Sequence, residues 1–456
     1  MSSHEYPKNV AVIGAGVAGL VAARHLSDPA CPCKLTLFEQ TNSLGGTWVY
    51  SDMIGEDEYG LPVHSSMYKS LRTNLPKEVM MFPDFPHANK QGVSYLTAKE
   101  VLQYLNDYAD HFNIKPNIKF RHYVKQISPL GSQWKIEVKD VEKNTEHVYV
   151  FDAVIIANGH NSKPRYPRVN GLEHFKGNQV HSHNYRDAVQ FRDRKVLIIG
   201  AGPSGLDLTF EISSVTDNIV LSHHTDYAAK VGFPSKVVLK PDINRINRDG
   251  RVLFKDGTAM DFDDIVFATG YLYTYPFLSK ECGIEVEDNY VSPLYKSIIN
   301  INHPTMGMLA VLKHTPTFYM VDIQVRFFIK CLLHPELLPN KKQMLAELKA
   351  FEERKIMEGV RKCDFHMLGE DNQLYMDDLF KIAGIPPIPP ILLRMYFHGY
   401  NAIFSDFKSF RHNFYHIIDQ ENFTVVDLRE IMTQPLEKLH SNPSACCGTL
   451  VPKHNA

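Results

Sequence analysis

Short apolar runs closed by glycine are the clearest pattern along this chain. Val10-Ala-Val-Ile13 and Val196-Leu-Ile-Ile199 are continuous and β-branched, the signature of strands covered on both faces. Each leads into a glycine turn, Gly14-Ala-Gly-Val-Ala-Gly19 and Gly200-Ala-Gly-Pro-Ser-Gly205, and then into a helical segment at residues 17–26 and 204–213. Two later runs, Asp152-Ala-Val-Ile-Ile-Ala157 and Asp264-Ile-Val-Phe-Ala268, both end in a glycine turn, at Gly159 and Gly270. The chain therefore repeats one strand–turn–helix plan. It predicts an α/β fold with two Rossmann-like dinucleotide-binding domains, one inserted into the other. Pro164 and Pro167 forbid continuous helix or central strand over 161–167, which reads as a linker. The expected boundaries are 1–164 and 300–456 for the split outer domain and 165–299 for the inserted one. Residues 340–355 read as helix, and 384–390 as a proline-rich break.

The turns carry a specific chemistry. The first glycine of each, Gly14 and Gly200, allows the tight bend, and the second, Gly16 and Gly202, lets backbone approach a pyrophosphate. The third, Gly19 and Gly205, lets helix pack on strand; Ser204 lies in the second turn, where the helix N-terminus faces the anion. Glu39 follows Gly19 by twenty positions, at the tip of the next strand, where a carboxylate accepts hydrogen bonds from ribose hydroxyls and repels a 2′-phosphate. The first site thus suits FAD or NAD. Gly45-Gly46-Thr47-Trp48 suits close approach of backbone to more pyrophosphate or to a flavin, although Trp48 equally fits core packing. The corresponding second strand ends in Ser222-His223-His224 with no acid at its tip. Histidine is a partly charged partner for a 2′-phosphate, so NADPH is favoured over NADH without strong selection. Two solvent-facing loop histidines are the other reading.

Between the two units lies Phe175-Lys-Gly177-Asn-Gln-Val-His181-Ser-His-Asn-Tyr185. This FxGxxxHxxxY pattern resembles the identifying sequence of the flavin-containing monooxygenases, class B flavoproteins. Matches continue in order through Gly45 to Trp48, the stretch around Asn74, the turn ending at Asp207, Ala268-Thr269-Gly270-Tyr271, and Asp322-Ile-Gln324. The resemblance implies FAD in the outer domain and NADPH in the inserted one. It implies that Asn74 sits beside the isoalloxazine and the nicotinamide ribose as the catalytic residue, and that Gln324 is a flavin-side residue. Phe175, Gly177, His181 and Tyr185 are implied to form a linker that contacts NADP. The implied activity is N-oxygenation of tertiary amines such as plant alkaloids, or S-oxygenation of sulfides, through a C4a-hydroperoxyflavin formed with O2. Relatives that insert oxygen beside a ketone end a similar fingerprint in tryptophan, so Tyr185 favours the N- or S-reaction. The Ser222–His224 stretch departs from the family in lacking its usual arginine. An NADPH oxidase, a Baeyer–Villiger enzyme and a non-catalytic nucleotide-binding flavoprotein are the competing readings. Length and the polar end from Pro435 to Ala456 resemble the soluble insect members.

Composition narrows the partners. Lysine plus arginine number 49 against 51 aspartates and glutamates, which gives no polyanion-binding signature and argues against nucleic acid. The most apolar segment, 321–333, is broken by Asp322, Gln324, Arg326 and Lys330, so no membrane span is expected. Seven cysteines without zinc or thioredoxin spacing read as structural thiols, with no metal site expected. A soluble, cytoplasmic protein follows, while Cys446-Cys447 and the sequon Asn422-Phe-Thr424 keep secretion after removal of a signal peptide open. Tyr396, Phe397 and Tyr400 either line the substrate approach or pack in the core. Oligomeric state is not readable, and a homo-oligomer is left open.

Overall fold

The computed structural model describes residues 7–87 and 93–429. Its first sheet has seven strands, in the order Leu294–Tyr295, Ile299–Asn300, Met306–Met308, Ala153–Ile156, Lys8–Ile13, Cys33–Phe38 and Ile118–Lys119. The last five of these run parallel. The reason for the unbroken apolar run is visible at its centre: Val10 and Val12 face the helices, whereas Ala11 and Ile13 face an antiparallel meander over residues 122–151. Trp134, Ile136 and Val138 alternate along the middle strand of that meander and are all buried against the sheet. On the opposite face lie the glycine helix Val17–Leu26, the helix Ala98–His111 and the helix Thr317–Leu333.

The second sheet is entirely parallel, with strand order Val237–Lys240, Ile219–Ser222, Val196–Ile199, Asp264–Phe267 and Asn178–His181. All its strands fall between strands of the first sheet in sequence, so one α/β unit is inserted in the other. The two crossings of the chain pair with each other, Lys163–Pro164 against Tyr271–Leu272. Pro164 tolerates this two-residue strand because only one neighbour is present. The chain rejoins the first sheet at Leu294.

Local signals match the elements they start. Thr97 and Glu100 form a reciprocal capping box on the helix Ala98–His111, and Asn340 and Gln343 do so on Lys341–Met357. Pro203 occupies the first turn of the second glycine helix, Pro203–Ser213, where its missing N–H costs nothing. The proline-rich 384–390 stretch ends where the helix Pro390–Ser405 begins. Among the described residues no helix is long and apolar enough to cross a membrane, and no group of three or more His, Cys, Asp or Glu could hold a metal. Cys31, Cys33, Cys282, Cys331 and Cys363 are free; Cys446, Cys447 and the polar end from Pro435 lie outside the described residues.

Burial sets the acid response of the fold. Burial, with Lys313 nearby, pushes His160 down to about 4, and burial with Lys313 and His160 pushes His366 down to about 3. Burial with His183 nearby lowers His181 to about 4. These rings are neutral in the fold, but each takes a proton near its ordinary value of 6.5 once unfolded. The unfolded state therefore binds more protons as pH falls below about 6.5, at about 1.4 kcal/mol per pH unit per histidine. Stability to urea should fall between pH 7 and pH 5, and His366→Gln, which cannot charge, should make the decline shallower by about that slope. An unchanged slope would show that His366 is not held neutral.

Candidate active site

Both glycine turns stand at the carboxyl ends of their parallel sheets, the edge at which such sheets bind ligands. Neither following helix has a side-chain cap or an acidic residue in its first turn, so free N–H donors and the positive dipole end face the crevice. In the first turn Gly16 lies against Gly46, whose own Cβ would come within 2.9 Å of the Gly16 Cα. Above Gly202 in the second turn nothing lies within 4 Å. Each turn thus presents an uncapped helix N-terminus to the crevice.

Glu39 is buried at the tip of its strand. One oxygen accepts from the Ala15 N–H at 2.9 Å, and the other from the N–H and hydroxyl of Thr41, each at 2.9 Å. The glycine turn is thereby tied to the tip of the next strand. A cavity of about 200 Å³, lined by Gln40, Thr41, Asn42, Tyr59, His64 and Arg121 among others, opens just beyond it. Gly46, Thr47 and Trp48 form a single 3-10 turn whose Thr47 carbonyl accepts from Ser65.

Asn74 belongs to a cluster that draws on three stretches of chain. The Arg411 guanidinium donates to Asp207 Oδ1 at 2.7 Å and Oδ2 at 2.9 Å, to Asn74 Oδ1 at 2.7 Å and to the Thr73 carbonyl at 3.1 Å. Tyr68 donates to Asp207 Oδ2 at 2.6 Å, and burial followed by the Asp207 charge raises its pKa well above the ordinary value. Ser70 donates to Glu211 on the same helix as Asp207. Arg411 lies over the Phe410 ring at 4.7 Å. Arginine can only donate, so this contact fixes the Asn74 amide with Oδ1 inward and Nδ2 as its free donor. Sequence reasoning missed Arg411, whose one signal is a cation within Phe407-Lys-Ser-Phe-Arg411.

The fingerprint residues divide. Gly177 stands at the amino end of the second sheet, opposite the glycine turn, and a Cβ there would lie 2.2 Å from the Asp263 carbonyl. Phe175 packs with Leu197, Val220 and Phe267 in the core. Both are held by packing at that end of the sheet. His181 lies at the carboxyl end and is fully buried; its Nδ1 accepts from the His183 N–H, which leaves Nε2 as the protonated nitrogen, turned toward the backbone of Gly270 and Arg165. Tyr185 is buried between Tyr68 and Phe191. Arg186, next in the chain, donates to four carbonyls, Ser51 and Met53 in the first unit and His183 and Tyr185 in its own segment.

At the second strand tip Ser222 is buried and its hydroxyl donates to the Pro241 carbonyl. His223 Nδ1 accepts from the Thr225 N–H, while His224 is exposed with Nδ1 3.2 Å from Asp242. An acid is therefore present at this tip after all, delivered by the neighbouring strand. Thr269 donates to the Arg165 carbonyl, and Gly270 turns with φ at +80°. Gln324 is fully buried, its Oε1 accepting from the Ala310 N–H at 3.3 Å and its Nε2 donating to Tyr375. Both ends of that amide hold protein, so Gln324 shapes the Ala310 segment. Tyr396 is buried, and half-buried Tyr400 lies 3.1 Å from His314.

The sequence profile of the Flavin-binding monooxygenase-like family matches residues 7–239 and 226–411. The chain is 32% identical over 421 residues to senecionine N-oxygenase of Tyria jacobaeae, 91% of each chain being covered. It is 32% identical to the flavin-containing monooxygenase FMO GS-OX-like 2 of Arabidopsis thaliana, over 90% of this chain and 93% of the other. Among solved structures, S-allyl-L-cysteine S-oxygenase from Allium sativum superposes with a TM-score of 0.81 at 30% identity, covering 89% of this chain and 94% of that one.

The Arg411–Asp207 pair is largely buried, so Arg411→Ala strands the carboxylate with Tyr68 as its remaining donor. Such a loss costs about 3–5 kcal/mol. Urea unfolding should show the midpoint falling with the slope unchanged. A loss below about 1 kcal/mol would mean that the pair behaves as a solvated surface bridge.

Proposed function

The chain belongs to the flavin-binding monooxygenase-like family and is a flavin-dependent monooxygenase, and from that premise we propose which cofactors it holds and what it oxygenates. FAD occupies the Gly14–Gly19 turn, with Glu39 on its ribose. NADPH occupies the Gly200–Gly205 turn. The acceptor is a soft nucleophile, the nitrogen of a tertiary amine or the sulfur of a sulfide. The names of the relatives span both, a senecionine N-oxygenase and an S-allyl-L-cysteine S-oxygenase.

The observation that carries this reading is the cluster of Asn74, Asp207 and Arg411, because it ties the helix behind one cradle to a loop of the unit that owns the other. When bound, the flavin supplies the oxygen-activating chemistry and the nicotinamide supplies the hydride. The residues of the chain bind, orient and exclude water. Bare helix N-termini hold the two pyrophosphates. Asn74 presents its Nδ2 donor in an orientation that Arg411 fixes, and Asp207 neutralises the guanidinium so that this donor carries no net charge into the crevice. His181, neutral because burial lowers it to about 4, offers Nε2–H without being able to act as an acid at physiological pH.

The test is the balance of NADPH consumed, product formed and peroxide released, with tertiary amines and sulfides as acceptors. Coupled formation of N-oxide or sulfoxide is expected. Peroxide equal to all the NADPH, whatever acceptor is present, would replace the monooxygenase reading with an oxidase. In Asn74→Ala the lost donor is worth about 1–3 kcal/mol, roughly five- to 150-fold in product formation, with peroxide rising in compensation. Full coupling in that variant would remove Asn74 from the site.

A further inference from the structure

The strand after a dinucleotide-binding helix is where such folds discriminate between a ribose hydroxyl and a 2′-phosphate, through an acid at its tip. In this chain the strand Ile219–Ser222 ends in serine and histidines. The strand beside it, Val237–Lys240, is parallel and ends level with it, Ser222 opposite Lys240. The His223 N–H donates to the Lys240 carbonyl at 2.9 Å, and the Ser222 hydroxyl to the Pro241 carbonyl at 2.9 Å. The chain is thus pinned up to Pro241, and the next residue, Asp242, is set against the histidine tip.

The Asp242 carboxylate lies 3.2 Å from His224 Nδ1 and 2.8 Å from Lys255 Nζ. Burial works against its ionisation, but the hydrogen bonds from Lys255 and His224 outweigh it and hold the carboxyl below the usual range. Close by, Lys240 pairs with Asp256 at 3.1 Å. The two groups that would otherwise meet a 2′-phosphate, His224 and Lys255, are therefore both engaged by one carboxylate. His224 is 74% exposed, and among the described residues its side chain is paired with that carboxylate.

We propose that Asp242 is the residue that sets nicotinamide-nucleotide selectivity in this chain, by competing with a 2′-phosphate for His224 and Lys255 and by accepting from the 2′-hydroxyl of NADH. The inference rests on the reading that the Gly200 turn holds the nicotinamide nucleotide. A dianionic phosphate arriving within several ångströms of the carboxylate is disfavoured by like charge, and an amide in its place removes that term. At surface dielectric and physiological salt the change corresponds to about three- to tenfold in selectivity.

The experiment is anaerobic bleaching of the flavin in the full-length holoprotein by NADPH and by NADH, each as an apparent second-order rate constant. Asp242→Asn should raise the NADPH-to-NADH ratio about three- to tenfold, mainly through the NADPH constant, and Lys255→Met should lower it. A carboxylate that merely fastens the turn to the strand tip would change the melting temperature and leave the ratio where it was. A ratio that is unmoved or lowered in Asp242→Asn overturns the proposal while bleaching continues. Absence of bleaching by either nucleotide in the unsubstituted protein overturns the underlying reading, and the proposal with it.

Discussion

Everything about this molecule's ligand edge depends on a contact that admits no side chain. A Cβ on Gly19 would stand 1.8 Å from the Gly14 carbonyl oxygen, and one on Gly205 would stand 1.9 Å from that of Gly200. Each helix is thereby laid directly on its strand, which brings its bare N-terminus over the carboxyl edge of the sheet. The first glycines share φ at +103°, and their missing side chains would meet the Ala157 carbonyl at 2.7 Å and the Ala268 carbonyl at 2.5 Å. The two units repeat each other at the level of these individual contacts. Any residue other than glycine at these positions must move the helix, and the anion cradle moves with it.

What lies between the cradles decides what they do together. Arg411 reaches Asp207 on the second glycine helix and Asn74 on a loop of the first unit, so a single guanidinium links the two units and orients one amide. Arg186 fastens the fingerprint segment to Ser51 and Met53 through carbonyl contacts that carry no sequence information of their own. A flavin-dependent monooxygenase must keep water from the reacting centre. Tyr68, which donates to Asp207, packs edge to face on the buried ring of Tyr185.

The fold was legible because its signals are local. Strand, glycine turn and helix occupy adjacent residues, and the apolar runs report coverage on both faces, so the inserted α/β plan can be read without tertiary information. The site was legible in part, for the same reason. Glu39 sits at its strand tip as its spacing implies, whereas Phe175 and Gly177 belong to the opposite end of the sheet, since a motif running from Phe175 to Tyr185 through the four-residue strand Asn178–His181 cannot place all its members at one edge. Arg411 and Asp242 were invisible. Arg411 meets Asn74 across 337 positions, and Asp242 reaches His224 from the neighbouring strand. No periodicity records such pairings, which exist only once the sheets are formed.

The most direct measurement is of nucleotide content in the purified protein when one cradle at a time is filled, flavin by absorbance and NADP+ by calorimetric titration. If the two turns hold different dinucleotides, Gly205→Ala keeps its flavin and loses NADP+ binding, while Gly19→Ala is obtained without flavin. A Gly205→Ala protein that lost its flavin yet still bound NADP+ would reverse the assignment of the two cradles, and one that retained both ligands unchanged would contradict the close contact on which the whole edge is built.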